Sequence, residues 1–308
     1  MLSRQTPLQA KISRNFKRYK YVYIMAIPVV IYYLIFMYWP MYGAQIAFKQ
    51  YAPGKGILGS PWIGFSHFTK FFKSFYLSRL IRNTLLISLY SLLFSFPAPI
   101  LLALLLNELR SNKFKRCVQT VSYLPHFISV MVVCGMIIDF TRSDGLINDI
   151  VALFGGSRQT MLLNPAMFRS IYIVSDIWQG VGWGSIIYLS ALTSIDAEQY
   201  EAAVIDGAGR LQKVLHVTLP GIAPTIVIML IMRIGQIMNV GYEKIILLYN
   251  GNTYETADVI SSFVYRKGLI EADYGYSTAI GLFNSSINLL LLLIANTVSR
   301  KVSETSLW

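Results

Sequence analysis

The sequence predicts an all-α integral membrane protein with six membrane-spanning helices, and two observations support this. Of the 308 residues, 55% are hydrophobic and only 14% are charged, and the mean hydropathy of +0.51 is too high for a typical soluble domain. The apolar residues also gather into runs long enough to cross a bilayer as helices. These predicted spans cover about residues 21–42, 83–106, 120–140, 170–192, 222–240 and 277–298.

The chain carries a net charge of +12, but this charge does not indicate a nucleic-acid-binding protein. The basic residues are scattered around the apolar runs and form no single basic domain. Attraction to the anionic head groups of membrane lipid is the simpler explanation. Neither metal binding nor a disulfide is expected, since the two cysteines, Cys117 and Cys134, belong to no four-ligand cluster.

Residues 1–20 form a basic tail without an acidic residue, directly before the first apolar run. This arrangement predicts a cytoplasmic tail and a retained first span, with Trp39 near its outer end. A cleaved signal peptide is the alternative, although no small-residue cleavage site follows the run. The segment 43–82 should lie outside the membrane. Within it, the pattern over 65–80 predicts an amphipathic helix in the outer membrane interface, or alternatively a surface that receives a partner protein.

The second and third spans contain features that suggest close packing and a break. Hydroxyl side chains repeat on one face of the second span, which favours tight helix packing or, alternatively, a polar path. The repeating residues are Thr84, Ser88, Ser91 and Ser95. Pro125 is expected to break the third span near its start.

Polar residues inside the last three spans are the candidates for a substrate path. Polar and aromatic groups inside lipid are costly unless they face protein or water, and together they suit sugar rings and hydroxyls. Buried helix packing is the equally open alternative. The fourth span supplies Tyr172, Asp176, Gln179 and Trp183; the fifth supplies Arg233 and Gln236; the sixth supplies Asn284 and Asn288.

The connector 194–221, between the fourth and fifth spans, is the longest polar interruption in the C-terminal half that is still expected to be ordered. Asp196 can cap a short helix, with Gln199 reaching back as in a capping box. Gly207 or Gly209 can end this helix in the left-handed conformation. A second short helix should follow and break at 219–221. The small residues on one face suit docking into a groove on a soluble partner, and an ordinary connector is the alternative.

One motif in this connector resembles a known family. Glu201-Ala202-Ala203, then Gly207, and after nine residues Val217 with Leu219-Pro220 resemble the EAA loop of ATP-binding-cassette (ABC) importer permeases, although the family usually has Ile in place of Val217. The rest of the chain resembles the sugar and polysaccharide branch of that family, which includes the maltose-like and lipoprotein-operon permeases. The segments that carry this second likeness are 64–68, 82–85, 122–125 and 274–281.

The resemblance implies the type I ABC importer permease fold over residues 21–308. It also implies a bacterial cytoplasmic-membrane protein with both termini inside. The partners would be a second permease subunit, two ATPase subunits and an external solute-binding protein that delivers an oligosaccharide. ATP and Mg would be bound by the ATPases, so this chain would hold no cofactor and no catalytic residue. The residues that would transmit ATPase motion are Glu201, Ala202, Ala203, Asp206, Gly207, Leu219 and Pro220.

Three other functions stay open at this stage. The first is an ABC permease for a solute other than sugar. The second is a secondary transporter driven by an ion gradient, for which Asp139 and Asp176 are the only membrane carboxylates. The third is a membrane scaffold or sensor. No nucleotide-binding loop or hydrolase motif is present in the sequence, so an enzyme is not expected.

Overall fold

The computed structural model describes residues 18–302 together with 306 and 307, and nearly all of this part is helical. Most of the predicted basic tail therefore lies outside the described residues. One isolated bridge, between Lys49 and Trp62, is the β-type pairing found in the described part. The main helices are α1 (Lys20–Phe48), α2 (Ser66–Phe72), α3 (Leu77–Asn107), α4 (Asn112–Phe127), α5 (Val130–Thr141), α6 (Leu146–Leu153), α7 (Pro165–Leu192), α8 (Ala197–Ile205), α9 (Arg210–Ile234), α10 (Tyr242–Leu248), α11 (Tyr254–Ala257), α12 (Ile260–Tyr265) and α13 (Tyr274–Val302).

Helix length and apolarity support a membrane protein, as the sequence predicts. Among the described residues, α1, α3, α9 and most of α13 are long and apolar enough to cross a bilayer. The pair formed by α4 and the segment Val130–Leu153 adds a fifth span if it is counted as one, although the pair is bent by 101°. Helix α7 has 28 residues, so it is long enough for a sixth span, but it is not among the four sufficiently apolar helices. The prediction of an all-helical fold is confirmed.

The bend between α4 and α5 has a local cause in the sequence. Pro125 lies in a final 3₁₀ turn, and Ile128 then takes an extended conformation. The hydroxyl of Ser129 accepts a hydrogen bond from the backbone N–H of Val132 and so caps the start of α5. The predicted break near Pro125 is therefore confirmed, and it separates two helices that differ sharply in direction.

Two expectations about helix boundaries are wrong. The predicted amphipathic helix over 65–80 is interrupted between α2 and α3 by a turn in which Ser74 N–H donates to the Phe71 carbonyl. Because of this turn, Phe71 is buried while Phe75 is 90% exposed. The predicted break at 219–221 is also absent, since α9 continues through it. A π-helical turn over Val214–Thr218 precedes Pro220 and widens the helix where this residue lacks a donor.

Helix α7 contributes to two of the three buried apolar clusters. Phe168 and Tyr172 near its first end pack with residues of α5 and α10. Tyr188 and Leu192 near its other end pack with Ile222 of α9 and with residues of α3. The third cluster joins α2, the start of α3, α12 and α13. Because α7 contacts α3, α4 and α9 along its length, the packing of α7 positions its polar face between these helices.

Close approach of α7 to α4 depends on Gly182. A Cβ atom at this position would fall on the backbone carbonyl of Ser122, well inside contact distance, whereas a Cβ on Gly180 would meet nothing within 4 Å. Gly182→Ala should therefore force the two helices apart and lower the free energy of unfolding by about 1–3 kcal/mol.

The measurement is the midpoint of thermal unfolding in detergent, with Gly180→Ala as the matched control. This control replaces a glycine of the same helix by the same residue without a clash. It is expected to leave the midpoint unchanged or slightly raised, because alanine favours a helix. Equal midpoints for the two variants would show that the contact between α7 and α4 is not needed for stability.

Candidate functional site

The connector between α7 and α9 forms the first candidate site, and its helix α8 begins as the sequence predicts. The carboxylate of Asp196 accepts a hydrogen bond of 3.0 Å from the backbone N–H of Glu198. Asp196 is therefore the cap of α8. A glutamine side chain that reaches back to a capping residue is found at the start of α9, where Gln212 Oε1 accepts a hydrogen bond of 2.7 Å from the Gly209 N–H. The glutamine that makes this kind of bond is thus Gln212 and not Gln199.

Helix α8 ends at a glycine in the left-handed conformation. Gly207 has a φ of +77°. Its N–H donates to the Val204 carbonyl at 3.0 Å, and the N–H of Ala208 donates to the Ala203 carbonyl at 2.9 Å. This pair of bonds is the Schellman motif, which satisfies the last carbonyls of a helix. Of the two glycines expected to take this role, the structure selects Gly207, because Gly209 has a φ of −70°.

A surface groove lies along this helix end. Ala202, Ala203, Asp206 and Gly207 line it, together with Gln199, Ala208, Gln212, His216 and Val217. The other three residues that the resemblance assigns to coupling do not line the groove. Glu201 is exposed on α8, whereas Leu219 and Pro220 lie in α9. The hydroxyl groups of Tyr200 and Thr218 are 3.1 Å apart, so a hydrogen bond joins α8 to the π-helical turn of α9.

The second candidate site is a polar cavity of about 300 Å³ between α3, α7 and the end of α9. It brings together four residues of the predicted substrate path, Tyr172, Asp176, Arg233 and Gln236. Ser88 and Ser91, from the hydroxyl face of the second span, also line the cavity. The other lining residues are Ile87, Leu92, Ile237, Asn239, Val240 and Gly241.

Hydrogen bonds between helices hold the walls of this cavity. The guanidinium of Arg233 donates to Ser91 Oγ, and Ser88 Oγ donates to the carbonyl of Ile237. The intramembrane arginine thus has a hydroxyl partner, and no described ion pair includes it. Ser88 and Ser91 of this face therefore pack α3 against the end of α9 and also border the cavity, while a polar path along the face stays a prediction.

Asn284 and Asn288 of α13 do not line the cavity. The amide of Asn284 donates to Asn239 Oδ1 at 2.8 Å, and Asn288 Oδ1 accepts from the backbone N–H of Met238 at 3.0 Å. Both side chains are buried. They hold the non-helical segment after α9 in place, and this segment carries Asn239 into the cavity wall. Asn284 and Asn288 support the site from behind.

Gln179 and Trp183 continue the polar face of α7 but lie outside the cavity. The amide nitrogen of Gln179 is 3.4 Å from the carbonyl of Ile128, in the break between α4 and α5. The indole of Trp183 stacks on His126, with ring centroids 4.6 Å apart and an angle of 2° between the planes. The face predicted from periodicity is thus divided between a cavity and a contact with the bent helix pair.

Comparison with known proteins shows the family of the chain. Residues 95–304 match the family described as the inner membrane component of binding-protein-dependent transport systems. The chain belongs to this family. The permease is 43% identical over 293 residues to the LplB protein of Bacillus subtilis (strain 168), an alignment that covers 95% of the chain and 92% of the relative.

Two further relatives are similarly close to this permease. It is 44% identical over 290 residues to the polygalacturonan/rhamnogalacturonan transport system permease YteP of the same organism, with 94% of the chain and 90% of the relative covered. A solved bacterial alginate ABC transporter, in complex with an alginate pentasaccharide-bound periplasmic protein, contains a chain with 46% identity and a TM-score of 0.88. That alignment covers 96% of the permease and 99% of the solved chain. The predicted type I ABC permease fold is confirmed.

Two charged positions of the permease could not have been found from sequence patterns. Lys244 is only 7% exposed in α10, and its ammonium lies 5.1 Å from the centroid of the Tyr172 ring. Burial lowers the pKa of Lys244, and the nearby Asp176 carboxylate opposes this shift. Asp258 is fully buried and pairs with Arg79 and Arg266. Neither residue belongs to a periodic face or a motif, and the contacts of Lys244 with Tyr172 and of Asp258 with Arg79 join distant parts of the chain.

Proposed function

We propose that this permease is one of two membrane subunits of an ABC importer that takes up an oligosaccharide delivered by a solute-binding protein. The supporting observation is the polar cavity between the spans, which combines an aromatic ring, a carboxylate, a guanidinium and amides. Such groups suit sugar hydroxyls and ring faces. YteP is a polygalacturonan/rhamnogalacturonan permease and the solved transporter is an alginate transporter, and both relatives support the same substrate class.

In this proposal the groove at α8 receives a cytoplasmic ATPase. The small side chains of Ala202 and Ala203 allow close approach, and the exposed carboxylate of Glu201 is free to pair with a basic residue of the ATPase. The Tyr200–Thr218 hydrogen bond then transmits motion of α8 into α9, whose other end borders the cavity through Arg233. Rigid-body movement of these helices would switch access to the cavity between the two sides of the membrane.

The orientation follows from the same proposal. The groove must face the cytoplasm, which places both termini inside and the segment 241–273 near the external solute-binding protein. Asp176 and Gln236, together with Tyr172 and Arg233, form the substrate path in the cavity. Trp183 and Gln179 extend this path towards the break between α4 and α5.

Reconstituted transport tests the proposal directly. The complete transporter in proteoliposomes, with its ATPase and binding protein, should accumulate an oligosaccharide only when ATP is supplied. Ionophores that collapse the proton and sodium gradients should leave uptake unchanged. Uptake that stops with the gradients, or that is restricted to a solute other than sugar, would contradict the proposal.

Contact with the ATPase is tested separately by crosslinking. A cysteine introduced as Ala203→Cys lies in the groove and should crosslink to the ATPase. A cysteine introduced as Leu58→Cys, on an exposed side chain in the segment before α2, is the control and should not crosslink. The opposite pattern would place the groove on the external side.

A further inference from the structure

Among the described residues, the charges around the polar cavity do not balance. Arg233 and Asp176 line the cavity, and Lys244 lies directly behind its Tyr172 wall. Among the six ion pairs found in the described residues, none includes any of these three side chains. Two basic groups therefore accompany one carboxylate, which leaves a single uncompensated positive charge when all three are ionised.

Lys244 is the more unusual of the two basic groups. Its ammonium nitrogen is buried and has no hydrogen-bond partner in the described part of the chain. A buried and unpaired amine is costly unless something compensates it. The face of the Tyr172 ring provides a cation–π contact, and this contact supplies only part of the lost hydration. The hydroxyl of the same tyrosine points towards Gly241, where an added Cβ would lie 3.7 Å from it.

Arg233 has hydrogen-bonding capacity to spare. A guanidinium carries five N–H donors in a planar fork, and the structure uses one of its nitrogens for a bond to Ser91. The side chain borders a cavity of about 300 Å³. A guanidinium with free donors in a cavity is suited to bind a carboxylate through two parallel hydrogen bonds.

We propose that this cavity is a subsite for the carboxylate of an acidic sugar unit, such as a uronate. Arg233 binds the carboxylate directly, and Lys244 supplies the second positive charge from behind Tyr172. One uronate carboxylate neutralises the single excess charge of the cavity. Asp176 and Gln236 remain available for the sugar hydroxyls. This inference rests on the proposed function, because it names the class of oligosaccharide that the same site would accept.

The test measures binding to the permease cavity itself. The purified transporter in nanodiscs, without its solute-binding protein, is titrated with trigalacturonate and with the same trisaccharide after reduction of its carboxyl groups. The wild type should bind the acidic ligand on the order of tenfold more tightly than the neutral one. Lys244→Met should remove most of this preference by weakening acidic binding alone. The substitution keeps the length of the side chain and removes a buried unpaired amine, so folding should not suffer.

Lys73→Met is the matched control, since Lys73 is exposed at the end of α2 and does not line the cavity. It should leave the preference for the acidic ligand intact. The inference is overturned if the wild type binds both trisaccharides equally or neither, or if Lys244→Met weakens both to the same degree. ATP-driven uptake of the neutral trisaccharide would in those cases still support the proposed function. Absence of any oligosaccharide uptake would overturn both.

Discussion

Gly207→Val is expected to reduce ATP-driven uptake roughly 5- to 30-fold without preventing insertion of the permease into the membrane. Gly207 has a φ of +77°, a conformation that costs about 1–2 kcal/mol for a residue with a Cβ and more for a β-branched side chain. Valine would therefore favour a different end for α8 and weaken the two hydrogen bonds to Ala203 and Val204. The groove that this end helps to line would change shape.

Insertion and folding should survive because the position is open. A Cβ at Gly207 would meet nothing within 4 Å in this chain. The measurement compares uptake with ATP hydrolysis in proteoliposomes that contain equal amounts of assembled transporter. Hydrolysis that continues without uptake would show that the ATPase and the membrane helices have become uncoupled.

Gly207→Asn is the control that separates conformation from size. Asparagine adds a side chain of comparable size, but it tolerates the left-handed conformation. Uptake by this variant should stay close to that of the wild type. If asparagine is as harmful as valine, the groove excludes any side chain at this position and the backbone argument is wrong. If valine is harmless, Gly207 has no role in coupling.

The fold could largely be predicted because its signals are local. Six apolar runs locate helices, and Asp196 and Gly207 mark the two ends of α8 through residue chemistry that acts within a few positions. The errors are also local in origin. The aromatic residues around Phe75 have a helical period, yet the turn at Ser74 interrupts the helix, and Pro220 is accommodated by the wide turn before it.

The candidate site could be predicted only in part, because periodicity identifies a face and not what faces it. The spacing of Tyr172, Asp176, Gln179 and Trp183 correctly places them on one side of α7. The bent pair α4 and α5 then covers the second half of that side, as the contacts of Gln179 and Trp183 show. Asn284 belongs to the support of the cavity for a similar reason, since its partner Asn239 is 45 positions earlier in the chain.

Lys244 and Asp258 mark the limit of sequence analysis. Their importance comes from burial and from partners on other helices, which no pattern in the chain reports. Asp258 shows this most clearly, because α3, α12 and the residues after it all meet at its carboxylate. The network at Asp258 also extends to α7, since Arg169 donates to Asn83 Oδ1 at 2.8 Å, and Asn83 in turn donates to the backbone carbonyl of Asp258.

Asp258→Asn is expected to lower the free energy of unfolding by about 3–5 kcal/mol, the largest stability effect that the structure predicts. The Asp258 carboxylate is fully buried. It accepts two hydrogen bonds of 2.8 Å from Arg266 and one of 3.1 Å from Arg79. Asparagine has nearly the same shape but no charge, so two guanidinium groups would lose the anion between them. The midpoint of thermal unfolding in detergent measures the loss.

Asp149→Asn is the matched control for this prediction. Asp149 forms an ion pair of 2.6 Å with Arg158, but both side chains are about half exposed, so water can replace the interaction. Loss of such a pair costs about 1 kcal/mol or less. Burial, and not the number of ion pairs, should therefore decide the outcome. Equal effects of the two substitutions would mean that water reaches the Asp258 cluster and that the cluster does not hold α3 against the segment 241–273.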